Sequence, residues 1–518
     1  MWLFKVFALF LLYFSKFSLS ADHFIDLQIN KGTVNATIRG IEHDYGRSFR
    51  GIPYAQKPIG SLRFMSAQRA DPRGFINATG YAAACAQQWD SNSQEDCLYI
   101  NVFTPVNMTS AAKLPVFVWI YGGGFVGGNG NLGGGMYSNL INRGPLIVVS
   151  MNYRVGAFGF LTTRTYDAPG NAGISDVTVG GQSAGSEAAS FVSLSPWGLG
   201  LYRGLILESG SAFGAALMSY SEKTRNTTKD LAIRLGCTTS ADYDQGRSFH
   251  DIVLCLQSKK AASIMSVDDQ LPNHRMKWAP VQDTNILPQR LENLARLRQQ
   301  VPVLVGDVKD EWVGWDQSLI TNNLKCSYEM TYWDKQDDVT KACPKKYTEN
   351  QPFSDTDSIQ WASTHIRLFS EMVFVGPALR DAKYFSYTGS DVFLYSFDYL
   401  NPAAIPEENI TALRGVPHGW ELQYIFNDGH SWPTTDNDTK TTELMGKLWT
   451  NFVLYGNPTP ANGLKTGFTW PTLSAAGDTN EYVSLGPDAI VSKNYHPSAM
   501  FWVCDAPTID GWKPQYCA

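Results

Sequence analysis

The sequence predicts an α/β fold: a large, mostly parallel sheet covered by helices on both faces. Three observations carry this. Runs rich in β-branched and aromatic residues, such as VFVWI, LIVVS and VPVLV, are apolar throughout rather than alternating. That is the pattern of strands buried on both sides. Helix-compatible stretches separate them, as βαβ units require. Small and polar residues cluster just after the runs, at the carboxyl ends where such sheets build their sites.

In chain order, LPVFVWIYGGGF reads as a buried strand, Val116 to Ile120, entering a glycine loop. PLIVVSMNY is a second buried strand, ending near Ser150. VTVGGQSAG is a short strand and a sharp turn, followed by a helix that begins AGSEAASFVSL. LYRGLILESGS and VPVLVGDVKDE are further strands ending in polar loops, and DVFLYSFDY repeats the pattern much later. No internal repeat or low-complexity linker interrupts the chain, so residues 21–518 are expected to form a single domain.

Composition narrows the function. The 518 residues are 44% hydrophobic and 17% charged, enough for a sizeable core. The formal net charge is −6 and no Lys/Arg run is present, which argues against a nucleic-acid partner. Lys5 precedes an apolar run from Val6 to Phe14, and Ser18-Leu19-Ser20 offers small residues for cleavage. Residues 1–20 therefore read as a signal peptide, and no later stretch reads as a membrane anchor. Six N-x-S/T acceptors, at Asn35, Asn77, Asn107, Asn226, Asn409 and Asn437, suit a secreted or secretory-lumen glycoprotein. Eight cysteines fall into four close pairs, Cys85/Cys97, Cys237/Cys255, Cys326/Cys343 and Cys504/Cys517, as disulfides would. The alternative for Cys517 is a free thiol or a bridge between two chains. No C-x-x-C or histidine cluster suggests a metal site.

The chemistry centres on GQSAG. A G-x-S-x-G pentapeptide alone is a weak signal, but Ser183 follows a β-branched strand and precedes a helical segment, with Gly181 and Gly185 beside it. This is the context of a nucleophile elbow, where a tight turn pushes the hydroxyl into the site. A serine hydroxyl needs a base, and the base an orienting acid. His418, in the glycine-flanked segment RGVPHGWEL, is the favoured base. His430 is the runner-up, and His250, His274, His365 and His496 also follow the serine. The run Gly122-Gly123-Gly124 after a buried strand can present bare N–H groups to a substrate oxygen, joined by that of Ala184 after the nucleophile.

These motifs resemble type-B carboxylesterases, the carboxylesterase/cholinesterase family of α/β hydrolases. The likeness runs through FRGIPYAQKPIGSLRF, EDCLYINVFTP, VWIYGGGF, VVSMNYRVGAFGFL, GQSAG, LILESGSAF, VGDVKDE, GVPHGWELQYIF and LWTNFVLYGNP. The resemblance implies an α/β-hydrolase fold and a Ser183/Glu311/His418 triad. It implies an oxyanion hole of Gly123, Gly124 and Ala184, and disulfides Cys85–Cys97 and Cys237–Cys255. It also implies ion pairs Arg63–Glu95 and Arg154–Asp176. The expected partner is a small-molecule carboxylic ester, with no cofactor required.

The chain departs from that family at four places. Asp176 is followed at once by Val177, where the family carries an amphipathic crossover helix. Roughly 20 residues, about 30 Å of helix, are missing. The stretch NYRVGAFGFLTTRTYDAPGNAGISD is expected to make the crossover, leaving part of one sheet face bare. Trp312 replaces a glycine after the acid and is expected to crowd the Glu311 loop. Gln182 replaces the glutamate that precedes the serine in cholinesterases; GQSAG also occurs in insect juvenile-hormone esterases. The Cys85–Cys97 loop is short, and Trp89 within it reads as structural rather than as a substrate-binding tryptophan.

Overall fold

The apolar runs assemble into one thirteen-stranded sheet in the computed structural model. It describes residues 23–31, 34–106, 113–133, 135–175, 180–214, 222–246, 248–272, 277–283, 285–313, 326, 335–348, 357–404, 415–427, 434–475 and 479–517. The N-terminal strands are β1 (His23–Lys31), β2 (Val34–His43), β3 (Gly46–Pro53), β4 (Arg73–Asn77) and β5 (Tyr99–Thr104). The centre is built from β6 (Val116–Ile120), β7 (Ile147–Met151), β8 (Gly180–Gln182) and β9 (Leu205–Glu208). Then follow β10 (Val303–Val308), β11 (Val392–Phe397), β12 (Tyr482–Leu485) and β13 (Ile490–Ser492). The spatial order is β1-β2-β3-β5-β7-β6-β8-β9-β10-β11-β12-β13, with β4 paired to β2. Every pairing from β7 through β12 is parallel. β1, β2, β3 and β5 extend the sheet antiparallel, an addition that the sequence pattern did not foretell.

Side chains alternate between the sheet's two faces. Leu205 and Leu207 of β9, Val303 and Val305 of β10, and Val392 and Leu394 of β11 enter one apolar core. It also takes Ala188, Phe191 and Val192 of the helix Ala184–Leu194, and Leu379 of the helix Gly376–Tyr387. Ile206, Leu304, Phe393 and Tyr395 enter a second core on the other face. There they pack with Trp449 and Phe452 of the helix Asp436–Tyr455.

β6 and β7 obey this alternation only halfway. Phe117, Trp119 and Val148 are buried in the second core. Their alternates Val116, Val118, Ile147 and Val149 belong to neither, and Val116 is 50% exposed. These four are adjacent, since Val116 pairs with Ile147 and Val118 with Val149. On this side, which helices cover at β9 to β11, Val116 is exposed while Val118, Ile147 and Val149 are half-buried.

From β7 the chain reaches β8 through two short helices, Gly156–Phe160 and Ala172–Ser175. The expected crossover is made from the stretch anticipated, and β8 still lies parallel between β6 and β9. Asp176, and with it the expected pair with Arg154, lies outside the described residues; Arg154 donates to the Ala172 carbonyl at 3.3 Å. The Arg63–Glu95 pair forms, with Nε and Nη2 each 2.6 Å from a carboxylate oxygen. Arg63 Nη1 also donates to the carbonyls of Leu256, Gln257 and Lys259. It thus ties the Cys85–Cys97 loop to the end of the helix Phe249–Ser258.

All four cysteine pairs are disulfides, and Cys517 bonds Cys504 within the chain. Among the glycan acceptors, Asn35, Asn77, Asn226 and Asn437 are exposed, while Asn107 and Asn409 lie outside the described residues, as does the expected signal peptide. Among the described residues, no helix is long and apolar enough to cross a membrane.

Candidate active site

Ser183 stands between β8 and the helix Ala184–Leu194 at φ 56°, ψ −130°. A non-glycine residue rarely adopts such a backbone, and surrounding structure must hold it there. Three contacts do so. Ser183 N–H donates to the Glu208 carbonyl at 2.9 Å, and the Ser183 carbonyl accepts from Glu187 N–H at 2.9 Å. Beneath the turn runs the end of β6. A Cβ on Gly181 would meet the Ile120 carbonyl oxygen at 2.3 Å, and one on Gly185 would meet the same oxygen at 2.2 Å. The glycines that flank the serine are thus dictated by one carbonyl of the neighbouring strand.

The glycine loop after β6 approaches just as closely. A Cβ on Gly122 would lie 2.8 Å from that of Ser183. Gly123 and Gly124 adopt φ 120° and 59°, which suit glycine best. Both line, with Ser183, Ala184 and His418, a cavity of about 680 Å³.

Glu311 and His418 come from loops beyond β10 and β11, and Asp310 joins them. Its backbone N–H donates to the Val416 carbonyl at 3.2 Å, while its carboxylate accepts from Val416 N–H at 3.1 Å. The two loops are clamped, and Glu311 Oε2 meets His418 Nδ1 at 2.5 Å. Glu311 Oε1 accepts from Val308 N–H at 2.9 Å, and the side chain is fully buried. With Nδ1–H donated to the carboxylate, Nε2 is left as an acceptor. It faces the Gln182 side-chain nitrogen at 3.2 Å.

Other histidines are engaged elsewhere. His250 pairs with Asp167 on the surface, His365 Nδ1 meets the Trp361 carbonyl, and His496 lies 3.8 Å from Glu371. His274 and His430 lie outside the described residues.

A dry acidic shell surrounds the Glu311–His418 pair. Burial pushes the Glu208 carboxyl up to about 8, opposed only by the Trp449 Nε1–H that donates to it at 2.7 Å. Burial also raises Asp307, reinforced by the Glu311 charge, and Glu421, reinforced by Glu208 and Glu311. Desolvation favours the neutral form of each. Asp307 in addition accepts from Tyr495 Oη at 2.7 Å.

Trp312 is buried, stacks on Phe369 with ring centroids 5.1 Å apart, and lines the cavity. Trp89 is not a core residue: it is 67% exposed and lies on the cavity wall. A Cβ on Gly127 would strike its ring at 2.3 Å, so the indole packs on the glycine loop. Its loop, pinned by the Cys85–Cys97 disulfide and Arg63, is shorter than the family pattern. Phe374, whose ring lies 4.5 Å from the His418 ring, went unforeseen because nothing in EMVFV distinguishes it from core.

Comparison with known proteins agrees with this geometry. The model of the carboxylesterase family matches residues 25–178 and 175–502, two stretches that overlap at residues 175–178. The chain is 30% identical to a cholinesterase of Mus musculus, over 88% of this chain and 82% of the relative. It is 29% identical to a juvenile hormone esterase of Tribolium castaneum, over 80% and 81%. It is 28% identical to a liver carboxylesterase of Sus scrofa, over 79% and 81%. A serine-bearing elbow, a clamped acid–histidine pair and this match over most of the chain lead to one statement: the protein belongs to the carboxylesterase family and is an esterase.

Proposed function

We propose that the protein is a secreted carboxylic-ester hydrolase that works through an acyl-enzyme on Ser183. The observation that carries this is the 2.5 Å contact of Glu311 with His418 Nδ1, in the cavity that Ser183 enters at its strained turn. His418 Nε2 takes the serine proton as Oγ attacks the ester carbonyl. N–H groups of Gly123, Gly124 and Ala184 receive the oxyanion. The imidazolium, steadied by Glu311, returns the proton to the leaving alkoxide. Water then repeats the cycle on the acyl-enzyme and releases the acid. Since Nε2 faces Gln182 at rest, that amide must yield to Ser183 when substrate binds. Hydrolysis of p-nitrophenyl acetate or butyrate by the purified protein, with a Ser183→Ala control, tests the reading. Activity untouched by the substitution would overturn it. The N-terminal apolar run, the disulfides and the exposed Asn35, Asn77, Asn226 and Asn437 support secretion as a glycoprotein. Recovery of glycosidase-sensitive protein from medium, beginning after Ser20, tests that.

A second reading has its own support. The exposed Val116 and its half-buried neighbours favour a splice or gene-model variant that lacks its crossover helix and folds poorly. Each large apolar side chain left uncovered forgoes about 1.5–3 kcal/mol, against a usual net stability of about 5–15 kcal/mol. A transcript read across the Asp176/Val177 junction decides between the two. Well-folded, active protein with no longer transcript would remove the second.

A further inference from the structure

The helix Ala184–Leu194 is buried along its whole length, and one of its eleven residues, Glu187, is ionisable. Such a helix ordinarily carries no carboxyl, because burying one costs several kcal/mol unless it is paired. Glu187 is 3% exposed, and its Oε2 is buried without a hydrogen-bond partner. The residue lines the catalytic cavity one turn after Ser183, its N–H bonded to the Ser183 carbonyl. Its other oxygen sits beside Gly214, where a Cβ would approach Oε1 to 3.6 Å and the Val373 carbonyl to 2.7 Å. Glu187 and Val373 line the same cavity, while Trp89 lies against Gly123 and Gly127. Lysine does not serve it: Lys277, on the same cavity, is paired with Asp268 at 3.1 Å. Burial alone raises the Glu187 carboxyl, to about 8, so at neutral pH it holds its proton and offers one donor and one acceptor.

We infer that Glu187 is a specificity-determining residue: it hydrogen-bonds an oxygen atom, hydroxyl, ether or carbonyl, carried by the ester substrate in this cavity. This rests on the esterase reading and deepens it. A buried carboxyl that finds a partner only in the substrate discriminates strongly, because an all-hydrocarbon ester leaves it unsatisfied.

The test compares oxygenated esters with their hydrocarbon isosteres in two series. One varies the acyl group, p-nitrophenyl methoxyacetate against p-nitrophenyl butyrate. The other varies the alcohol, 2-methoxyethyl butyrate against butyl butyrate. In at least one series the wild type is expected to prefer the oxygenated ester by about tenfold or more in kcat/KM. Glu187→Leu erases that ratio, and Glu187→Gln, which keeps a donor and an acceptor, restores part of it. Fluorophosphonate labelling of Ser183 in each variant reports that the site is intact. Ratios near one in both series for the wild type, or ratios that the Leu variant leaves unchanged, overturn the assignment while the esterase reading stands. A folded wild type that hydrolyses none of the four esters overturns both. If the Leu variant does not fold, the wild-type ratios and the Gln variant decide.

Discussion

His418 Nε2 lies 3.2 Å from the side-chain nitrogen of Gln182, the residue immediately before Ser183. With Nδ1 held by Glu311 at 2.5 Å, both ring nitrogens are engaged at rest. The proposed base is thus engaged by the residue next to the proposed nucleophile. Substituting Gln182→Ala removes the competing donor. A neutral hydrogen bond contributes about 0.5–1.5 kcal/mol net, so fluorophosphonate labelling of Ser183 is expected to speed up by about 2–10-fold. Slower labelling would mean that Gln182 positions the ring productively instead.

Glu311→Gln keeps the shape of the acid and removes its charge. The amide no longer stabilises an imidazolium and can stabilise the wrong tautomer. kcat is expected to fall by about 10³-fold or more, with KM little changed. Steady-state kinetics on p-nitrophenyl butyrate check this, and a loss under tenfold would remove Glu311 from the mechanism.

Gly181→Ala and Gly185→Ala each drive a methyl into the Ile120 carbonyl. Overpacking against backbone is expected to cost about 1–3 kcal/mol or more and to abolish labelling before global unfolding. Urea melts and labelling, measured on the same samples, separate these effects.

Glu208, raised to about 8 by burial, shapes the pH dependence of stability. Its carboxyl stays protonated in the folded protein while the unfolded chain loses that proton above its ordinary value near 4.5. The folded state then binds the extra proton, so this group's contribution falls as pH rises from about 4.5 to about 8, by at most ~1.4 kcal/mol per pH unit. Glu208→Gln removes the titration and is expected to flatten the decline of Tm between pH 5 and 8. An unchanged slope would show that Glu208 is ionised in the fold.

Val116→Thr and Val148→Thr place the same change on opposite faces of adjacent strands. Val116 is 50% exposed, and its replacement is expected to cost under about 0.5 kcal/mol while reducing aggregation. Val148 is fully buried, and burying its hydroxyl is expected to cost about 1–3 kcal/mol. Equal costs would mean that the β6–β7 face is covered in solution.

The sequence by itself determined the sheet's centre and the elbow at Ser183. Each is local: β-branched runs fix strands, and Gly181 and Gly185 announce a turn that tolerates nothing larger. Resemblance, rather than spacing, picked Glu311 and His418 from the competing acids and histidines. Only the tertiary structure decided what depends on distant segments meeting. The Asp310–Val416 clamp brings the acid to the imidazole across more than a hundred residues of chain. Trp89 and Phe374 become cavity walls because the Cys85–Cys97 loop and the helical segment Glu371–Val375, far apart in sequence, meet at the cavity that Ser183 lines. Glu187 acquires its neutral carboxyl from the helices and loops that exclude water around it, a desolvation that no local pattern of residues encodes.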